Sequence, residues 1–198
     1  MRNTITKVSC SSQWILCFLF SVAFSISGES QSSILRSVDG VVQFISDAPL
    51  EMIKARSVAL RGVIDVSENT FAFAIDMKSF SGFNSDLQKT HFNENYVESR
   101  KFPRATFSGK IIEKIDWEQE ALLEVRAKGM LEIHGIKQER IIPGKIEIFS
   151  DRVIIQSEFS VPLKDHDISI PKIVAQKISE KINVSIFLTI LREAPTEE

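Results

Sequence analysis

Apolar and polar residues alternate with a period of two along most of this chain. The alternation is clearest in the stretches that begin at Val58, Phe71, Leu123, Val153 and Val184, where every second residue is apolar or small. Successive side chains of a β-strand point to opposite faces, so each stretch buries one face and exposes the other to water. The pattern therefore predicts antiparallel sheet with one buried face.

Turn-forming residues at 67–69, 116–120, 134–135 and 149–151 separate these stretches. Short connections favour strands that pair as hairpins with the next strand in sequence. Eight antiparallel strands can close into a barrel that leaves no exposed edge. We therefore predict an all-β fold, an eight-stranded antiparallel barrel with one short helix covering an end. The predicted strands span residues 41–45, 58–66, 70–80, 105–114, 121–133, 136–148, 152–163 and 183–191.

Residues 87–109 interrupt the alternation. Leu87, Phe92 and Tyr96 share one face of a short predicted helix, and His91 lies beside them. The helical pattern ends before Pro103, and a strand follows at once. A single amphipathic helix in an all-β chain must bury its apolar face, and the open end of a barrel offers the space.

Polar groups near this helix have two interpretations. His91 is either a structural residue at the barrel rim or a contact for the polar head of a ligand. Arg100, Lys101 and Arg104 follow it in sequence, and basic side chains suit a phosphate or carboxylate head group. The same charges can equally do no more than solvate a surface turn.

The barrel interior also has two interpretations, because a barrel of eight strands is either filled by its own side chains or holds one small ligand. Ala105, Gly109, Ala127 and Gly129 fall on predicted inner faces next to large residues. Small inward residues leave room for a ligand, or they make space for bulky aromatic side chains opposite. The alternation alone does not decide between the two.

The first 28 residues have the features of a secretory signal peptide. Arg2 and Lys7 precede an uncharged apolar run at 14–26, and small residues follow at Ser27 and Gly28. An uncleaved anchor is the alternative, but the run is short for a membrane span. We predict a signal peptide at 1–28, a barrel domain at 33–192 and a loose acidic tail at 193–198, in an exported protein without a membrane span after cleavage.

Composition excludes some partners. The 198 residues are 43% hydrophobic and carry a formal net charge of −2. No basic cluster is present, so we predict no nucleic-acid partner. Cleavage of the signal would remove both cysteines, so the mature chain would have no disulfide. The sequence does not indicate an oligomeric state.

Catalytic motifs are missing from the sequence. It contains no G-x-S-x-G elbow and no phosphate-binding glycine loop, and neither an enzyme activity nor a cofactor is predicted. His134 precedes Gly135 in a predicted turn and is expected on the surface. His166 lies between Asp165 and Asp167, which suits a metal, but one such triplet in a loop falls short of three or four converging ligands.

Three motifs resemble the YceI-like family of exported lipid-binding proteins. The first runs from His91-Phe92 through Tyr96-Val97 to the segment KFPRATF at 101–107. The second, AKGMLEIHGIK at 127–137, resembles the family hairpin G-x-L-T-[IL]-x-G-V-T-K, with Glu132 at the usual threonine position. The third is residues 159–170 with the closing strand from Ile182. The resemblance covers about residues 33–191, and the chain departs from the family pattern at 38–56 and 165–171.

The resemblance implies a lipocalin-like barrel whose apolar interior holds a polyisoprenoid or similar long-chain lipid, without catalysis, in the periplasm or outside the cell. The alternatives are a structural or interaction module with a filled barrel, and a metal-assisted enzyme that uses His166. We predict that the ligand contacts inward strand residues and the helix, namely Leu60, Phe71, Phe73, Ile75, Leu87, His91, Phe92, Tyr96, Phe107, Leu123, Val125, Leu131, Ile155, Phe159 and Ile186.

Overall fold

The structure, a computed structural model, describes residues 33–192. The predicted signal peptide and the acidic tail lie outside the described residues. Nine strands form one sheet. They are β1 (Ile34–Asp47), β2 (Met52–Ser57), β3 (Arg61–Asp65), β4 (Thr70–Asp76), β5 (Arg104–Ile111), β6 (Ala121–Ile133), β7 (Ile136–Ile148), β8 (Arg152–Pro162) and β9 (Lys181–Leu191).

The sheet closes because β1 pairs with β9 along one edge. Along its other edge, β1 pairs with β3 through its first residues and with β2 through its last. Both pairings keep the same antiparallel register, so β2 and β3 are two halves of one wall strand interrupted at residues 58–60. The described chain is thus a closed antiparallel barrel with eight wall positions, and the predicted fold class is confirmed.

The interruption between β2 and β3 accounts for one wrong prediction. The alternation placed Val58 on the inner face, but its side chain is 60% exposed because the chain leaves the wall there. Leu60, two residues later, is buried, with only 4% of its surface exposed. The strand β2 was not predicted, and β1 is much longer than the predicted 41–45.

Up-and-down connectivity sends alternate connections to opposite ends of the barrel. The end that we call the lid end receives the turn at 134–135, the loop at 48–51 and two long connections, 77–103 and 163–180. The first long connection holds the helix α1 (Asp86–His91), which continues as a π-helical turn over Phe92–Tyr96. We call residues 86–96 the lid and residues 163–180 the second cap.

The opposite end, the far end, carries short turns and is closed by Trp117. This side chain is only 6% exposed, and its indole Nε1 donates a hydrogen bond of 2.9 Å to Asn69 Oδ1 in the β3–β4 turn. Short turns together with a buried aromatic plug leave the lid end as the side where the interior opens.

Gly109 on β5 and Gly129 on β6 are direct partners in the ladder. A Cβ atom at either position would collide with the backbone of the opposite strand. These glycines therefore allow the close approach of two wall strands, which is a different role from the two interpretations drawn from the sequence.

No helix among residues 33–192 is long and apolar enough to cross a membrane.

Candidate functional site: an apolar cavity under the lid

A cavity of about 500 Å³, which we call the upper chamber, occupies the half of the barrel next to the lid end. Strand residues that were predicted to face inward form much of its wall, and polar side chains are confined mainly to its mouth. A volume of this size falls in the range of small-molecule sites, which are typically apolar with few polar groups. Of the predicted ligand contacts, the upper chamber is lined by Leu60, Phe73, Ile75, Leu87, His91, Phe92, Tyr96, Phe107, Leu131, Phe159 and Ile186.

The lid is held over this chamber by an aromatic cluster centred on Phe92. Its ring lies 5.4 Å from the ring of Phe44 on β1, 5.8 Å from Phe80 and 5.1 Å from Phe83, measured between centroids. Ser85 caps the start of α1, and its Oγ accepts a hydrogen bond of 3.2 Å from the amide of Gln88, the usual N-cap arrangement. Phe92 therefore anchors the lid to Phe44 on the wall and to Phe80 and Phe83 in the same connection.

Tyr96 also faces the upper chamber from the lid. Burial raises the pKa of its hydroxyl, because desolvation disfavours the phenolate. The group is therefore neutral at physiological pH and presents an O–H without charge to the interior.

Four exposed residues mark the mouth of the chamber, namely Ser85, Leu87, His91 and Lys177. Leu87 is 63% exposed and borders the opening, so the prediction that its side chain is turned inward is wrong. The mouth lies between the lid and the second cap. Arg100, Lys101 and Arg104 are outside the chamber lining, and Lys101 pairs instead with Glu98 at 3.7 Å.

The loop at 48–51 ties the two sides of the mouth together. Glu51 Oε1 accepts hydrogen bonds from Gln88 Nε2 at 2.5 Å and from Asn84 Nδ2 at 3.2 Å. Gln88 is on the lid, and Asn84 lies just before it in sequence. The amide of Leu50 donates to the carbonyl of Gln176 in the second cap at 2.9 Å. Glu51 is thus the acidic group at the mouth, and two amides already occupy its Oε1 atom.

The second cap was not predicted as part of the site. Leu163, Ile168, Val174 and Ile178 line the upper chamber from this segment. Their spacing follows neither the period of a strand nor that of a long helix, so the sequence carried no periodic signal for them. Other lining residues that were not predicted come from the wall strands and from the connection 77–103, including Phe44, Ile53, Met77, Phe80, Phe83, Ile133 and Val161.

His166 in the second cap is turned into the wall and has no exposed surface. Its Nδ1 lies 3.1 Å from the carbonyl oxygen of Ile136, and because a carbonyl only accepts, that nitrogen carries the proton. Burial lowers the pKa of His166, an effect that the bond to Ile136 and the Asp165 carboxylate oppose. Within residues 33–192, no three His, Cys, Asp or Glu side chains are grouped so as to hold a metal ion.

His134 is not on the surface, contrary to the expectation from its turn position. Its side chain is 12% exposed, and its ring meets Phe102 edge to face at 4.7 Å. Its Nδ1 donates to the carbonyl of His166 at 3.1 Å. A positive φ at both His134 and Gly135 forms the tight turn between β6 and β7 and directs the ring inward against the second cap.

A second cavity of about 80 Å³, the lower chamber, lies toward the far end. Phe71, Val125 and Ile155 line this chamber and not the upper one, although all were predicted as ligand contacts. Leu123 lines neither chamber and packs against the core. The residues that border both chambers are Leu60, Phe73, Phe107, Phe159 and Ile186.

Comparison with known proteins identifies the family. A sequence model described as the YceI-like domain matches residues 22–190. The chain belongs to the YceI-like family. The resemblance read from the three sequence motifs is thereby confirmed. No functionally curated protein is similar enough in sequence to count as a relative.

Three solved structures are similar to this chain in fold. A polyisoprenoid-binding domain from Saccharophagus degradans, described as implicated in plant cell wall breakdown, has a TM-score of 0.65 at 16% identity and covers 82% of this chain and 99% of its own. BcnA from Burkholderia cenocepacia has a TM-score of 0.63 at 12% identity, covering 76% and 95%. A YceI protein from Campylobacter jejuni has a TM-score of 0.52 at 18% identity, covering 66% and 78%.

At these identities the likeness shows the fold alone. Membership of the family together with the apolar upper chamber supports a role in binding a hydrophobic molecule.

Proposed function

We propose that this protein binds a long-chain hydrophobic molecule, a polyisoprenoid or similar lipid, in the upper chamber and carries it without catalysis. The observation that carries the proposal is the distribution of polarity around the chamber. Its wall is formed mainly by aliphatic and aromatic side chains from β1, β2, β4, β5, β6, β8, β9 and the two long connections, and its charged groups, Glu51 and Lys177, stand at the mouth. Such a site suits a ligand with an apolar body and a small polar end.

Burial of apolar surface supplies the binding free energy in such a site, about 0.8 kcal/mol for each methylene removed from water. The polar end would meet hydrogen-bonding side chains at the mouth, where His91 and Gln88 border the opening. The relative from Saccharophagus degradans is named as a polyisoprenoid-binding domain, which is why we favour an isoprenoid chain over other lipids.

A filled barrel that acts only through its surface is the alternative from the sequence. We favour the carrier because a chamber of about 500 Å³ remains between the lid and the wall, within the range that small ligands occupy. A metal-assisted enzyme would need more metal ligands than His166 and its flanking Asp165 and Asp167, which is why we propose a protein without catalytic activity.

We also propose that the protein is exported, with residues 1–28 acting as its signal peptide. The charged start, the short apolar run and the small residues before position 29 support this. N-terminal sequencing of the protein purified from its host tests the proposal. A first residue near Gly28 is expected, and an intact Met1 would contradict it.

Extraction of native protein tests the carrier function. Protein purified from its host is denatured, its organic extract is analysed by mass spectrometry, and binding of a fluorescent polyprenyl probe is titrated in parallel. We expect one lipid in stoichiometric amount. Repeated extraction without a lipid, together with no binding of the probe, would contradict the proposal.

A pair of variants assigns the binding to the upper chamber. Ala105 lines the chamber, whereas Ala72 on the neighbouring strand β4 is exposed on the outside of the barrel. Ala105→Phe fills the chamber and is expected to weaken probe binding by about tenfold or more, since displaced methylenes each contribute about fourfold. Ala72→Phe adds the same side chain to the outer face and is expected to leave binding unchanged.

A further inference from the structure

The upper and lower chambers share five lining side chains. Leu60, Phe73, Phe107, Phe159 and Ile186 border both chambers. They come from the β2–β3 link, β4, β5, β8 and β9, which are five of the eight wall positions of the barrel. We call this set the partition. Above it lie about 500 Å³ of cavity, and below it about 80 Å³.

The aromatic members of the partition are supported from below. Phe73 and Phe107 are direct partners in the β4–β5 ladder. Both contact Phe71, which lines only the lower chamber, with ring centroids 5.5 Å and 4.9 Å away. Phe73 is also held from the side, because its ring occupies the space of a side chain at Gly62. Packed rings of this kind do not move aside without losing contacts on several sides.

We propose that the partition sets the maximum length of the chain that this protein accepts, with Phe107 as the principal stop. This proposal rests on the proposed function and adds a selectivity to it. A chain that enters at the mouth extends down the upper chamber until its end meets the partition. The lower chamber then stays unused, because Phe107 and Phe73 stand between it and the ligand.

A series of prenyl alcohols of increasing length measures this limit. Each methylene that is newly buried tightens binding by about fourfold, so affinity for the wild-type protein rises with length and stops rising where the chain reaches the partition. Phe107→Ala opens the partition into the lower chamber. The first alcohol beyond the wild-type limit is then expected to bind this variant about tenfold tighter or more.

Two further variants make the result specific. Ala127 lines only the lower chamber, so Ala127→Leu added to Phe107→Ala fills the newly opened space and is expected to restore the wild-type limit. Ile148→Ala truncates a buried side chain that borders neither chamber, and it is expected to keep the wild-type limit. Should Phe107→Ala fail to fold, Phe107→Leu opens the same position with a smaller loss of packing.

The outcomes separate this proposal from the carrier function. If the wild type binds prenyl alcohols and Phe107→Ala shows the same chain-length limit, the partition alone is overturned. The same result in Phe107→Leu overturns it where only that variant folds. An equal shift in Ile148→Ala overturns it as well, because general loosening would then explain the change. Failure of the wild type to bind any prenyl alcohol overturns the carrier function and the partition with it.

Discussion

The ring of Phe73 on β4 occupies the space in which a side chain at Gly62 on β3 would stand. The two residues are direct partners in the β3–β4 ladder, and a Cβ atom added at Gly62 would collide with the ring. Phe73 also stacks on Phe71 at a centroid distance of 5.5 Å and an interplanar angle of 24°. Glycine at position 62 thus fixes the ring that helps to separate the two chambers.

The first prediction concerns this pair. Gly62→Ala is expected to lower the free energy of unfolding by about 1–3 kcal/mol, because the added methyl group overpacks the space beside Phe73. Urea denaturation measures the change. The double variant Gly62→Ala with Phe73→Leu relieves the collision, so its loss should be smaller than the sum of the two single losses by at least about 0.5 kcal/mol. Strict additivity would contradict the contact.

The second prediction concerns the lid. Phe92 is half-buried and stacks on Phe44 with ring planes at 23°. Phe92→Ala is expected to lower the free energy of unfolding by up to about 3 kcal/mol and to speed amide hydrogen exchange in residues 86–96 more than in the wall strands. Leu87→Ala is the matched control, since Leu87 is 63% exposed. Equal exchange in both variants would show that Phe92 does not anchor the lid.

Sequence pattern was sufficient for β6 and β7, which pair with each other along their full length. β6 and β7 were predicted with the bounds that the structure gives them. A wall strand buried on one face must alternate strictly, and a two-residue turn fixes its register. β1 was predicted too short because Arg36, Ser37 and Asp39 break its alternation, and its change of partner from β3 to β2 is a tertiary feature.

The candidate site was predicted in part for the same reason. Inner-face residues such as Phe73 and Phe107 follow from alternation, and both border the cavity. The second cap could not be predicted, because its position depends on contacts with distant residues. His166 is placed by Ile136 and His134, both more than 25 residues earlier in the chain. Alternation also cannot reveal at which level a barrel is divided.

The third prediction concerns the far end. Trp117 is the single tryptophan among residues 33–192, and its indole donates to Asn69 Oδ1 at 2.9 Å. Asn69 has a positive φ of 52°. Asn69→Asp retains both the acceptor and the tolerance for this backbone. Asn69→Gly leaves the buried indole N–H unpaired at a cost of about 1–3 kcal/mol, and Asn69→Ala adds backbone strain of about 1 kcal/mol more.

We therefore expect unfolding free energies in the order Asp, then Gly, then Ala, from the most stable variant to the least. The fluorescence of Trp117 in a denaturant titration reports all three, since the indole is buried in the folded protein. An alanine variant as stable as the glycine variant would contradict the strain at Asn69.

The fourth prediction concerns pH. Burial holds the pKa of His166 below its ordinary value of 6.5, so the unfolded chain binds a proton at this residue more readily than the folded protein does. Stability is therefore unaffected well above that value and falls as the pH drops through about 6.5 toward the folded pKa. The carboxylates of Asp65 and Glu113, whose pKa values are lowered by hydrogen bonds from Ser67 and Arg126, lose stabilising charge only at about pH 4 and below.

Of the described groups whose pKa the fold shifts, His166 is the one that titrates between about pH 7.5 and about pH 5. His166→Asn retains an N–H near the position of Nδ1, which can donate to the carbonyl of Ile136 but does not titrate, so its unfolding midpoint in urea should decline less over this interval than that of the wild type. His91→Asn, at an exposed position, is the control and should follow the wild type. The same decline in His166→Asn as in the wild type would mean that another group governs the pH dependence.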